Sequence, residues 1–350
     1  MKPRVLFISP TPTHPQEAGN TMRVFGLVRS LRQYRVPFHF IWIRERGPDN
    51  AALEAMRDEW GKSRISCFPY HYPQKHMSVL ARSLRKIEML TGWRLPRKSS
   101  HAIDDWFDPQ VVPEILRIAQ AFNPTVVCVE YVFFSRYLDY FPDETLKVID
   151  THDVFSNRKH LFRSAGVAET SAWFSTGRSE ERRGLRRADR IIAIQDQERK
   201  TLEKISKGMQ VSTVGHLMDV QEPPTRLAEE PTALIVAGKN GPNRHGVQYF
   251  FENIWPVVRE RVPAAKCVVA GNICEVITKT EGIELLGYVE VLASLYSRAW
   301  VAVAPVYFGT GLKIKTIEAL SYGLPVVTPP AGAVGLEEFE GRAVDVVGSD

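Results

Sequence analysis

Two glycines, Gly309 and Gly311, precede two lysines, Lys313 and Lys315, and a glutamate, Glu318. Glycines let a backbone approach a ligand closely with its amides exposed, and a helix starting just after them adds partial positive charge. Such a turn is suited to hold phosphate. Glu318 lies further into the helix, where a carboxylate can accept hydrogen bonds from ribose hydroxyls. Glycine pairs alone are weak evidence, and a generic strand-to-helix turn is the alternative. A second group is Asp150-Thr151-His152-Asp153, behind an apolar run. A histidine at the carboxyl end of a strand between two carboxylates is placed for chemistry, and Asp153 could orient His152. Glu130-Tyr131 ends the preceding apolar run and could line the same side, or be a satisfied polar pair. Lys239 follows a further apolar run, with Arg244 and His245 close behind; a solvated loop lysine is the alternative. Asn20, next to Gly19, is a good helix cap. Asp196 and Glu198 read as acids that complement a helix N-terminus. The sequence has no Ser nucleophile elbow, no metal-ligand spacing and no paired carboxylates with clear acid–base spacing.

The elements that carry these residues alternate. Apolar runs predict strands at Val5–Ser9, Phe38–Ile43, Thr125–Val129, Lys147–Asp150, Arg190–Ile194 and Val211–Val214, with helices over Thr21–Gln33, Pro109–Phe122, Glu180–Arg187 and Asp196–Ile205 between them. The pattern restarts with strands at Ala233–Ala237, Lys266–Ala270, Trp300–Ala304 and Pro325–Thr328 and helices at Gly246–Arg261, Leu292–Ser297 and Lys313–Tyr322. Alternation of this kind builds parallel sheets. The fold class expected is α/β, two Rossmann-like doubly wound domains facing a central cleft. An N-terminal domain spans 1–220, a polar proline-bearing linker 221–231 and a C-terminal domain 232–350. Residues 50–110 carry no legible pattern. In open parallel sheets ligands bind at the carboxyl ends of the strands, here across the cleft.

The 350 residues are 44% hydrophobic and 24% charged, which fits a globular chain with a substantial core. The four cysteines, Cys67, Cys128, Cys267 and Cys274, form no CxxC pair and read as reduced thiols. The first apolar run is too short for a signal-peptide core, and none is long enough to cross a bilayer. A cytoplasmic protein is expected. The formal charge of +5 is mild, and no nucleic-acid recognition module is present. Residues 77–98 are basic and amphipathic, with Arg82, Arg85, Lys86, Arg94, Arg97 and Lys98 interleaved with apolar side chains and Trp93. This segment reads either as a membrane-surface helix at the inner face of the membrane or as a solvated helix on its own domain.

The segment Phe308-Gly309-Thr310-Gly311-Leu312-Lys313, continued by Glu318-Ala319 and Gly323-Leu324-Pro325-Val326-Val327, resembles the donor signature of retaining GT-B glycosyltransferases of family 4. The first Glu of that signature is Thr310 here, which leaves the sugar open. Members of that family also continue beyond the strand near Val344–Val347 with helices that this sequence does not show. The resemblance implies that Thr310, Gly311, Leu312 and Lys313 meet the donor, that Lys239 and Arg244 neutralise its phosphates, that Gly19 and Asn20 approach it from the N-terminal side, and that His152 touches the transferred sugar. It also implies a nucleotide diphosphate sugar of the UDP or GDP type as donor, a glycan or lipid-linked acceptor, and no cofactor or metal. The activity expected is hexosyl transfer to a hydroxyl with retention, in bacterial surface polysaccharide or glycolipid assembly. A sugar-nucleotide epimerase of the same architecture, and a catalytically silent sugar-nucleotide-binding module, are the competing readings.

Overall fold

The computed structural model describes residues 2–16, 18–44, 49–71, 101–156, 158–166, 174–222, 228–309 and 311–348. Thr310 and the basic amphipathic segment 77–98 lie outside the described residues, as do residues 223–227 of the expected linker.

Two parallel sheets dominate. The first contains β1 (Val5–Ser9), β2 (Phe38–Arg44), β3 (Ile65–Pro69), β4 (Val126–Glu130), β5 (Leu146–Asp150), β6 (Arg190–Ala193) and β7 (Gln210–Thr213), in the order β3-β2-β1-β4-β5-β6-β7. The second contains β8 (Thr232–Val236), β9 (Lys266–Ala270), β10 (Ile283–Gly287), β11 (Val301–Val303), β12 (Val326–Thr328) and β13 (Val344–Val346), in the order β10-β9-β8-β11-β12-β13. Each order reverses once, between β1 and β4 and between β8 and β11. Crevices open at such reversals.

The sheets form because the strands are nearly continuous apolar runs covered on both faces. Leu6, Ile8, Val127, Val129 and Ile149 are fully buried in the first, and Val269 and Val344 in the second. Each such side chain stabilises the fold by about 1.5–3 kcal/mol.

Several elements differ from the sequence reading. The stretch without a legible pattern contains a helix, Asn50–Trp60, and the edge strand β3. The helix is capped by Asp49, whose side chain accepts from the Ala52 amide. The helix expected from Gly246 starts at Gly241, because Asn240 caps it by accepting from the Asn243 amide and Pro242 needs no donor in the first turn. It then widens into a π turn at Phe250–Ile254 before resuming at Trp255–Arg261. Pro256 has no N–H to give the carbonyl four residues back, and the wider turn accommodates that loss.

The first helix, Gly19–Gln33, begins two residues earlier than expected. Asn20 therefore sits inside it, not at its cap. Thr21 closes the N-terminus instead, with its Oγ1 accepting from the Ala18 amide at 3.2 Å. The Asn20 amide reaches back to Thr11 Oγ1 at 3.3 Å.

Candidate active site

A cavity of about 720 Å³ lies between the carboxyl edges of the two sheets. Its N-terminal wall is formed by Gln16, Ala18 and Gly19 from the loop after β1, with Arg158 and Phe162. Its C-terminal wall includes Gly238 and Asn240 after β8, Asn272, Tyr288–Ala293, and the turn from Val303 to the helix Ile314–Ser321. The two walls touch at several places. The ring of Phe162 packs edge-on against Phe308, 5.5 Å between centroids. Gly19 lies so close to Ile314 that a β-carbon would stand 2.8 Å from Ile314 Cγ1. A larger residue at this position would push the walls apart.

The glycine turn is built as its composition demands. Gly309 has φ 124° and Gly311 φ 79°, conformations that L side chains rarely adopt. Gly309, Leu312 and Lys313 line the cavity, while Gly311 turns toward Asp153, whose carboxyl would be 3.7 Å from a β-carbon there. Lys313 donates to the Gly311 carbonyl at 2.7 Å. Its pKa is lowered, chiefly by burial, with Asp153 and Glu198 opposing. Lys315 pairs with Glu318 at 2.6 Å, and the Tyr296 hydroxyl donates to the same carboxyl oxygen at 3.1 Å. Glu318 and Lys315 both line the cavity.

Lys239 and Arg244 occupy the loop and helix after β8, yet neither lines the cavity. The Lys239 ammonium pairs with Glu275 at 2.6 Å and its side chain is half exposed. Asn240 and Gly238 face the cavity in its place.

His152 stands at the end of β5, in a left-handed conformation with φ 57°. Its ring stacks on Tyr131, centroids 4.1 Å apart and planes 17° from parallel. The expectation that Asp153 orients it is corrected: Nε2 meets Glu130 Oε2 at 2.6 Å, and Asp150 lies 3.6 Å away. The reason lies in the chain's direction. The left-handed turn at His152 sends Asp153 toward its own Val154 amide, 2.8 Å away, and toward Arg158. Glu130 and Asp150 are adjacent across the β4–β5 register and stay beside the ring.

Burial first, and then the Asp150 carboxylate, push the Glu130 carboxyl up to about 7, against the hydrogen bond and charge of His152. Asp150 is held below its ordinary value although burial opposes this, because the Arg23 guanidinium grips it at 2.6 and 2.7 Å. Glu130, Asp150 and His152 offer ligand atoms within 4.8 Å of one another, a spacing that could hold a metal ion. Arg23 already occupies both Asp150 oxygens, so a cation there would meet fixed positive charge.

Glu198 is the larger departure. The acid expected to complement a helix N-terminus is 6% exposed, with both carboxyl oxygens buried beside Asp153 and the Gly311 backbone. Gln195 caps that helix instead, by accepting from the Gln197 amide. Burial, then Asp153, raise the Glu198 carboxyl well above its ordinary value, with Lys313 opposing. Asp153, Glu198 and Arg158 of the N-terminal half thus face Lys313 of the C-terminal half. Arg158 and His216 also escaped the sequence reading. Both His216 ring nitrogens are buried and unpartnered, and burial, then Arg23 and Lys315, lower it to about 4.

Two doubly wound parallel sheets with a cleft between their carboxyl edges form the GT-B arrangement. Residues 230–345 match the family of glycosyl transferases, group 1. No curated protein sequence matches the chain. Among solved structures, TarM of S. aureus, in complex with fondaparinux, α-GlcNAc-glycerol and UDP, superimposes with a TM-score of 0.65 at 9% identity, over 99% of this chain and 90% of that one. Sucrose-phosphate synthase of Thermosynechococcus elongatus gives 0.66 at 14%, over 99% and 86%. HepE of Anabaena, in complex with UDP and glucose, gives 0.61 at 10%, over 99% and 86%. At these identities the likeness establishes the fold, which is the GT-B fold expected from the sequence.

Proposed function

We propose that the chain is a glycosyltransferase that moves a hexosyl unit from a nucleotide diphosphate sugar to a hydroxyl acceptor, with retention at the anomeric carbon. The observation that carries this reading is the cavity between the two sheets, closed on one side by the Gly309–Lys313 turn and the Glu318 helix. The group 1 match covers that half of the chain. Structures of the same fold hold UDP, which favours a UDP- or GDP-type donor.

In this reading Glu318, fixed by Lys315 and Tyr296, accepts from the ribose hydroxyls. Leu312 and Gly309 present backbone to the diphosphate, and Lys313 and Lys315 supply charge. That charge stabilises the leaving diphosphate more as its bond breaks than before. No protein nucleophile is needed: the departing phosphate oxygen takes the proton of the attacking hydroxyl. His152, held by Glu130, does not itself line the cavity; its assignment to the transferred sugar rests on the family resemblance of its loop. The donor is the one small molecule required. No helix among the described residues is long and apolar enough to cross a membrane. A glycan or lipid-linked acceptor, met at the inner face of a membrane through residues 77–98, completes the proposal.

A thermal-shift panel of UDP, GDP, ADP and CMP and their sugars tests it, since a ligand that binds only the folded chain raises its melting temperature. The expected result is a rise with one diphosphate and its sugar, followed by release of that diphosphate when acceptor is added. Binding without turnover in the presence of glycan acceptors would favour the silent-module reading. No shift with any nucleotide would refute both.

A further inference from the structure

Two arginines of the N-terminal half are used in opposite ways. Arg23 is spent. Its Nε and Nη2 take Asp150 at 2.7 and 2.6 Å, and its Nη1 donates to the Val214 carbonyl at 3.0 Å. Arg158 is not. Its one ion pair, Nη2 to Asp153, is 3.3 Å long, and its Nε is buried with no partner. The guanidinium lies over the Phe155 ring at 5.3 Å, which fixes its plane. A guanidinium carries five N–H donors in a rigid fork matched to phosphate. Among the described contacts, most of that capacity at Arg158 is unused, and the side chain is 13% exposed.

Its position says what would use it. Among the described residues, five of the N-terminal half line the cavity, Gln16, Ala18, Gly19, Arg158 and Phe162, and of these Arg158 is the charged one. Across the gap stand Gly309, Leu312 and Lys313. Arg158 is near enough to Lys313 to lower its pKa by repulsion. Two cations on opposite walls of a cleft, beside a glycine turn, make a place for an anion with more than one charge. Lys239 and Arg244, the cations expected there, do not line the cavity.

We propose that Arg158 is the cation that the N-terminal wall contributes to the diphosphate of the donor, so that leaving-group stabilisation is complete only when the two halves meet. The inference rests on the nucleotide-sugar reading of the cavity and assigns its missing positive charge. On arrival of the diphosphate the long pair with Asp153 gives way to a charge-assisted fork, which is the stronger contact.

The test is binding of uridine, UDP, guanosine and GDP to the wild type, Arg158→Ala and Arg158→Lys, by titration calorimetry, with far-UV circular dichroism and the unliganded melt as checks of folding. The expected result is that Arg158→Ala weakens the preferred diphosphate about tenfold or more, leaves its nucleoside unchanged, and that Arg158→Lys recovers part of the loss. Equal diphosphate affinity in wild type and Arg158→Ala, or equal losses for nucleoside and diphosphate, would overturn the role of Arg158 alone. Failure of the wild type to bind either diphosphate would overturn the UDP- or GDP-type donor reading and this inference with it.

Discussion

Replacing Glu130 by Gln should abolish a pH dependence of stability that the wild-type chain carries. The Glu130 carboxyl rises from 4.5 to about 7 on folding, through burial and the neighbouring Asp150. An acid whose folded pKa exceeds its unfolded one favours the folded chain when protonated. Its contribution is therefore complete below 4.5 and is lost as pH climbs through about 7. At about 1.36 kcal/mol per pKa unit, the loss amounts to about 3 kcal/mol. Gln has nearly the same shape, does not titrate, and can donate to His152 Nε2 as the protonated acid does. It would fix the ring with its proton on Nδ1. Urea denaturation of both proteins from about pH 5 to about pH 8 measures the effect. The wild type should lose about 2.5 kcal/mol relative to Glu130→Gln over that range, part of the full effect having been lost already below pH 5. Asp150 does not confuse the result, because its pKa is lowered from 3.8 and its stabilisation is lost only as pH falls below that value. Parallel profiles for the two proteins would refute the assignment of a neutral-range proton to Glu130.

Asp150→Asn should cost about 3–5 kcal/mol in urea denaturation, because it leaves the Arg23 guanidinium buried without its counter-charge; a loss below about 1 kcal/mol would show that Arg23 finds another partner. Gly19→Val should raise the donor KM several-fold with little change in the unliganded melt, since its β-carbon would stand 2.8 Å from Ile314 and hold the walls apart; an unchanged KM would mean that the walls do not need that approach. His216→Phe should leave the melting temperature unchanged or higher, because a neutral ring with two unpartnered buried nitrogens gives up no hydrogen bond. A marked fall in melting temperature would count against that account of His216.

Periodicity made the two sheets legible. Runs such as Val5–Ser9 and Lys266–Ala270 need no tertiary information to be read as strands, since each is a short, mostly apolar run between turns. The helix start at Gly241 was hidden because Gly241-Pro242 has the composition of a loop, and only the Asn240 cap makes it a helix. The strand β10 reads Ile-Glu-Leu-Leu-Gly, too short and irregular for a period. In the site, the glycine turn and His152 were legible because special backbone conformations leave a mark on composition. Arg158 and Glu198 were not. Glu198 occupies the third position of its helix, where an acid is expected for reasons of dipole alone. Its burial exists because a loop more than a hundred residues away closes over it, and nothing local records that approach. The partner of His152 was misread for the same reason: Asp153 is adjacent in sequence, whereas Glu130 is adjacent in the sheet.

The passage between the halves is pinned at both ends. Arg23 holds the Val214 carbonyl from the first half, Arg29 is paired with Asp219, and the Gln221 amide is tied to the Ser321 carbonyl of the second half. Between the grips at Val214 and Gln221 runs a short crank, with the span 216–220 reaching about 17 Å at most. Two bodies joined this way swing like a door on a stiff hinge plate and do not drift like beads on a string. The hinge plate is bolted, through Arg23, to Asp150, the carboxylate beside His152. Torque applied by opening is thus delivered at the root of the histidine turn, and amide exchange at 150–152 should quicken together with that at 214–221 whenever the door swings.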